Sequence, residues 1–165
     1  MIENVQTYSQ DRIGLPLFIN VGEEGGTATR FGNNANFSLG KVSAMREIGV
    51  TGNAQNAYDA GVRIGNFLYD LGFNMDNAPD ADVLTNPANT VIGSRSFGTD
   101  CHLVSEMALA EMKGLKEQKV IPVLKHYPGH GATEADTHEG YAYMTKTLEE
   151  IMSNELVPFI DGIHN

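Results

Sequence analysis

With a single cysteine, Cys101, this chain has no internal disulfide to form. A disulfide-stapled scaffold is excluded, and the thiol is expected to be a packed core group. Basic residues are scarce as well: 11 Lys and Arg stand against 21 Asp and Glu, for a net charge of −10. Such a surface repels phosphate backbones and anionic lipids, so nucleic acid is not expected as a partner. The acidic residues are scattered, which marks a solvated surface rather than an acidic interaction tail. No run approaches the ~20 apolar residues that a membrane span needs. The opening MIENVQTYSQDR has no basic start followed by an apolar stretch, so no secretory signal is read there and a cytoplasmic protein is the expectation. Internal repeats and low-complexity linkers are lacking too. A 165-residue chain that is 41% hydrophobic and 19% charged suits one globular domain, taken as residues 1–165.

What the sequence does contain is a recurring strand, polar loop, helix order. Leu15 to Val21 (LPLFINV), Phe73 to Ala78 (FNMDNA) and Val120 to Leu124 (VIPVL) read as buried strands, each short and punctuated by Gly or Pro. A helix is predicted over Asn53 to Leu71, where Ala57, Ala60, Ile64, Phe67, Leu68 and Leu71 recur at three- and four-residue steps and Gly72 can end it. A second runs from about Cys101 to Gln118 behind an Asp100 cap, its Met residues reading as core rather than as a cofactor box. A third begins near Thr147, where Thr147 and Glu150 fit a capping box, and should end before Pro158. Parallel strands need long crossovers, and helices supply them, so the fold class is α/β. Active groups in such folds collect after the carboxyl ends of the strands, which directs attention to Gly22, Pro79 and Lys125 onward.

The segment after the third strand, KHYPGHGATEADTHEG (Lys125 to Gly140), gathers one Lys, three His, one Asp, two Glu and three Gly. Two chemistries fit it. His126, His130, Asp136 and His138 could ligate a metal such as zinc, although their spacing matches no helical HExxH signature. Alternatively, Lys125 and His126 supply donors to a hydroxyl-rich ligand such as a sugar, with Pro128 and Gly129 turning the chain.

KHYPGHG is similar to the KHFPGHG-type signature of glycoside hydrolase family 3, and Asp136 to His138 (DTH) resembles the Asp-Ser/Thr-His triplet of its β-N-acetylglucosaminidase branch. The stretches NMDNAPDADVLTNPANTVIGSRSFGTD (Asn74 to Asp100) and VGEEGGTATRF (Val21 to Phe31) resemble further segments of that family in order and spacing. The resemblance implies part of a (β/α)8 barrel, about three parallel strands with their helices, and no cofactor. It implies sugar-contacting roles for Arg95, Lys125 and His126. Asp82 is a fourth candidate, with holding the loops together as its alternative role, and for Arg95 the alternative is a structural ion pair. Asp136 and His138 would form an acid/base dyad, the alternative being two idle exposed loop residues.

Three departures stand out. Gly22 occupies the place of an Asp that in the family binds sugar hydroxyls, Thr27 replaces a commonly basic residue, and no residue of this chain aligns with the downstream Asp that retaining members use as nucleophile. The resemblance therefore implies an incomplete catalytic domain, inactive alone, from an enzyme acting on terminal N-acetylglucosamine of cell-wall or chitin-derived saccharides. Hydrolysis and phosphorolysis are both open. So is a non-catalytic sugar-binding or assembly module. Three strands cannot close a barrel, and their open edges predict self-association into a homo-oligomer.

Overall fold

The structure, a computed structural model, describes residues 1–134 and 140–165. Three strands, β1 (Asn20–Val21), β2 (Met75–Asp76) and β3 (Ile121–Pro122), form a parallel sheet in the order β1-β2-β3. Asn20 pairs with Met75 and Met75 with Ile121; Val21, Asp76 and Pro122 form the next rung. An isolated parallel bridge between Asp80 and Lys125 carries the β2–β3 pairing on toward the carboxyl ends.

These ladders are shorter than the runs predicted from sequence, and the first run is largely uncovered: Leu15, Leu17 and Phe18 are 61%, 40% and 70% exposed. The reason lies in Asn74. Its Oδ1 accepts from the Ile19 N–H at 2.7 Å and its Nδ2 donates to the Leu17 carbonyl at 2.8 Å, so a side chain takes the bonds that a longer ladder would use.

Helix α1 (Ile2–Ile13) precedes the sheet, and the short α2 (Met45–Gly49) and long α3 (Ala54–Leu71) cross from β1 to β2. Helix α4 (Cys101–Glu117) crosses from β2 to β3. The predicted caps are in place: Asn53 accepts from the Gln55 N–H, Asp100 from the Leu103 N–H, and Gly72 ends α3 in the left-handed region. Ala57, Ala60, Ile64 and Leu68 of α3 meet Val104, Met107, Ala108 and Leu115 of α4 in one core. Gly61 and Gly114 bring the two backbones together, since a Cβ at either would collide with a carbonyl of the other helix.

Neither α1 nor α2 was anticipated. The first buries only Ser9 and shows little periodicity, and the second is too short for any. After β3 the predicted helix is α5 (Leu148–Met152), opened by the Thr147–Glu150 capping box and ending before Pro158, and an unpredicted helix, α6 (Val157–Ile163), follows it. Pro158 starts a helix rather than ending one, because in the first turn its missing N–H has no partner to lose. Among the described residues no helix is long and apolar enough to cross a membrane.

Candidate active site

Glu23 and Glu24 follow β1 and point to opposite tasks. Glu23 is buried and folds its own loop, accepting from the backbone N–H groups of Arg30 (2.6 Å), Phe31 (2.9 Å) and Gly32 (3.2 Å) and from the Thr29 hydroxyl. Glu24 faces the pocket. Its two oxygens accept from Arg95 Nε and Nη2, both at 2.8 Å, and Oε1 also forms an ion pair with Lys125 Nζ. Burial raises the Glu24 carboxyl, but the Arg95 fork and the Lys125 ammonium outweigh it and hold it below the ordinary range.

Arg95 closes a short 3₁₀ turn, Gly93–Arg95, that Asn89 pins by accepting from the Ile92 N–H. Its Nη1 donates to the Val91 carbonyl, and Nη2 lies 3.1 Å from His126 Nε2. Guanidinium groups only donate, so Nε2 accepts and the His126 proton resides on Nδ1, where Asp82 Oδ2 takes it at 2.6 Å. His126 is thus a neutral ring engaged at both nitrogens, not the free donor its sequence position suggested.

Asp82 is fully buried beneath this ring, and its Oδ1 accepts the His130 N–H at 2.5 Å. It is brought under the Lys125–His130 loop rather than into the cavity. Burial raises its carboxyl, and the His126 ring and the His130 N–H lower it by more, leaving it below the ordinary range. His130 is turned inward, its Nδ1 2.9 Å from the Thr133 hydroxyl. Asp136 and His138 lie within 135–139, outside the described residues.

Arg95, Lys125 and His126 are therefore brought together on one cavity of about 420 Å³, shared with Gly22, Glu24 and Arg30. Sequence reasoning passed over Glu24, the residue that joins two of them; its signal was its place in the VGEEGG loop beside the strand end. At the departure position Gly22, a Cβ would stand 3.8 Å from Lys125 Nζ. Asp80, Asp82 and His126 also offer three donor atoms within 4.8 Å of one another. They suit a metal poorly, because Arg95 at Nε2 keeps the proton on the Nδ1 that would have to ligate it. Of the four residues in the metal reading, Asp136 and His138 lie outside the described residues, and His130 has Nδ1 beside the Thr133 hydroxyl and Nε2 buried without a partner among the described residues.

Behind the pocket sit two carboxyls with no cation in contact among the described residues. Asp76 on β2 is fully buried, with Oδ1 on the Glu23 N–H at 2.9 Å and Oδ2 unpartnered among the described residues; both Glu111 oxygens on α4 are likewise unpartnered. Burial pushes Asp76 up to about 7, and burial followed by the Asp76 charge pushes Glu111 well up. A raised native value means that the unfolded chain sheds this proton first. Stability should accordingly fall as pH rises from the ordinary Asp value of 3.8 to about 7, by roughly 1.4 kcal/mol per pH unit. Urea midpoints across that interval should fall for the parent chain and fall less for Asp76→Asn. Equal slopes would show that Asp76 is ionised in the native state.

The sequence pattern of the glycosyl hydrolase family 3 N-terminal domain matches residues 1–165. The chain belongs to this family. This family 3 chain is 39% identical over 145 residues to the beta-hexosaminidase LpqI of Mycobacterium tuberculosis, covering 88% of itself and 36% of that protein. Its fold is similar to a family 3 beta-N-acetylglucosaminidase from Paenibacillus sp. (TM-score 0.89, 34% identity, 96% of this chain and 30% of the other). It is also similar to NagZ from Neisseria gonorrhoeae in complex with N-trifluoroacetyl-D-glucosamine (TM-score 0.79, 29% identity, 98% and 49%). The chain thus spans less than half the length of each. The three parallel strands and their helices correspond to part of a family 3 N-terminal (β/α)8 barrel, as the sequence implied.

Proposed function

We propose that residues 1–165 form part of one catalytic domain of a retaining β-N-acetylglucosaminidase acting on terminal N-acetylglucosamine of cell-wall or chitin-derived saccharides. The observation that carries this reading is the cavity where Arg95 and Lys125 are held on Glu24 beside His126, at the carboxyl ends of parallel strands. Donors fixed in advance lose little freedom when they meet sugar hydroxyls. Arg95 and Lys125 donate to the sugar, while His126, engaged at both nitrogens, lines the cavity beside it and orients Arg95, with Asp82 acting through His126. His138 protonates the leaving oxygen while Asp136 orients its imidazole, a task suited to a group whose ordinary pKa of ~6.5 lies near working pH.

Retaining cleavage also needs a carboxylate on the opposite face of the sugar. Among the described residues the one carboxylate lining the cavity is Glu24, and it is locked by Arg95 and Lys125. Turnover therefore requires more chain than these residues, and the 165-residue polypeptide alone is expected to bind without cleaving. The open edges of β1 and β3 support its self-association, which sedimentation would read.

A second reading, a non-catalytic sugar-binding module, is favoured by Gly22, which offers no acceptor at the mouth of the cavity. Restoring one tests how far that loss reaches. Gly22→Asp should raise N-acetylglucosamine affinity by roughly tenfold, since its carboxylate would stand beside Lys125 and a hydrogen bond to a charged group contributes about 1.5–3 kcal/mol. Calorimetric titration showing unchanged or weaker binding would place the sugar away from Gly22.

A further inference from the structure

We infer that Asp80 and Asp82 hold a single proton between them, and that protonated Asp80 is the positioning residue that keeps Arg95 and His126 in the pattern the cavity presents.

The geometry comes first. Both side chains are fully buried, and Asp80 Oδ1 accepts the Asp82 N–H at 2.9 Å. Asp80 Oδ2 has no hydrogen-bond partner among the described residues, yet it lies 3.5 Å from Arg95 Nη2 and 3.8 Å from His126 Nδ1. A buried carboxylate oxygen left unpartnered in this way carries a desolvation cost that a proton removes.

Charge balance gives the same count. Among the described residues, the charged and titratable groups around the pair are Arg95 from the 3₁₀ turn and His126 from the β3 loop, with Glu24 from the β1 loop joining Arg95 to Lys125. Arg95 and Lys125 are both held closest to Glu24, and His126 is neutral because Arg95 donates to it. Three ionised carboxylates would leave this buried group one negative charge in excess; one proton brings it to neutrality.

Asp82 accepts the His126 ring proton and the backbone N–H groups of His126 and His130, so it is the ionised member. Asp80, which accepts one N–H, carries the proton. Burial and the Asp82 charge both push Asp80 upward, in agreement. Ionised Asp80 would draw Arg95 Nη2 from His126 and compete with Asp82 for the ring proton, rearranging the donors on the cavity wall.

An Asn at position 80 imitates the protonated acid, with an acceptor for the Asp82 N–H and a donor beside Asp82. The test is NMR of the 165-residue chain, carboxyl-¹³C-labelled at Asp and ¹⁵N-labelled at His, from acid to alkaline pH. At neutral pH we expect one protonated carboxyl in the pair and the Nδ1–H form of His126, both changing at one alkaline transition. Asp80→Asn should keep that His126 form and lose the transition. Two ionised carboxyls at neutral pH, or a transition that survives in Asp80→Asn, would overturn the proposal, and the parent spectrum decides it even if the variant does not fold.

The consequence for sugar recognition rests on the function proposed above. N-acetylglucosamine affinity should fall roughly tenfold through the transition, about one charge-assisted hydrogen bond, in the parent but not in Asp80→Asn. A proton count as expected with affinity flat across the transition would reject the positioning role. Absence of sugar binding at every pH, with the NMR result intact, would reject the functional reading instead.

Discussion

Replacing Glu24 with Gln should cost the protein on the order of 3–5 kcal/mol and remove its affinity for N-acetylglucosamine, because one carboxylate holds both cationic arms of the cavity. Gln keeps the size and one acceptor oxygen but cannot form the two-bond fork to Arg95 while pairing with Lys125. Two cations whose side chains are each 19% exposed would then face one another without an anion between them. Removing one partner from a buried ion pair is the expensive direction of that change. Urea unfolding and a sugar titration read the two effects separately. A variant with parent-like stability and unchanged affinity would mean that Arg95 and Lys125 are positioned by something other than Glu24.

Much of this site could be read from the sequence, because its chemistry is concentrated at strand ends. Lys125 and His126 stand out by density of function within the loop after β3, and Arg95 by its place in a segment with family-like spacing. What could not be read were relations between residues distant along the chain. Nothing local distinguishes Glu24 from Glu23, yet one organises a loop and the other, 71 residues from Arg95, organises the pocket. Asp80 and Asp82 look like any acidic pair until both are found buried against the same histidine.

The fold followed the same division. Helix α3 carries a strong apolar period, both α3 and α4 have clear caps, and their observed ends agree with the predicted ones within a residue. The strands were predicted too long, because alternation of apolar residues does not reveal that Asn74 will replace backbone pairing before β1 begins. Helix α6 was missed for a related reason. A proline ends one helix or begins another according to the chain on either side, and only the turn after α5 decides which.

The acid/base assignment carries the other large effect. In a longer version of the protein that supplies an opposing carboxylate, His138→Ala should lower the rate by roughly 10²–10⁴, the usual worth of a positioned general acid. Binding of N-acetylglucosamine itself should change little, since the role proposed for His138 is toward the leaving group. The direct measurement is release of chromophore from a β-N-acetylglucosaminide, compared among the 165-residue polypeptide, the longer protein and its His138→Ala variant. The expected result is turnover by the longer protein alone, with the variant reduced to a small residue of that rate. Robust turnover by the 165-residue polypeptide, abolished by Glu24→Gln, would contradict the account by placing the missing carboxylate within this chain.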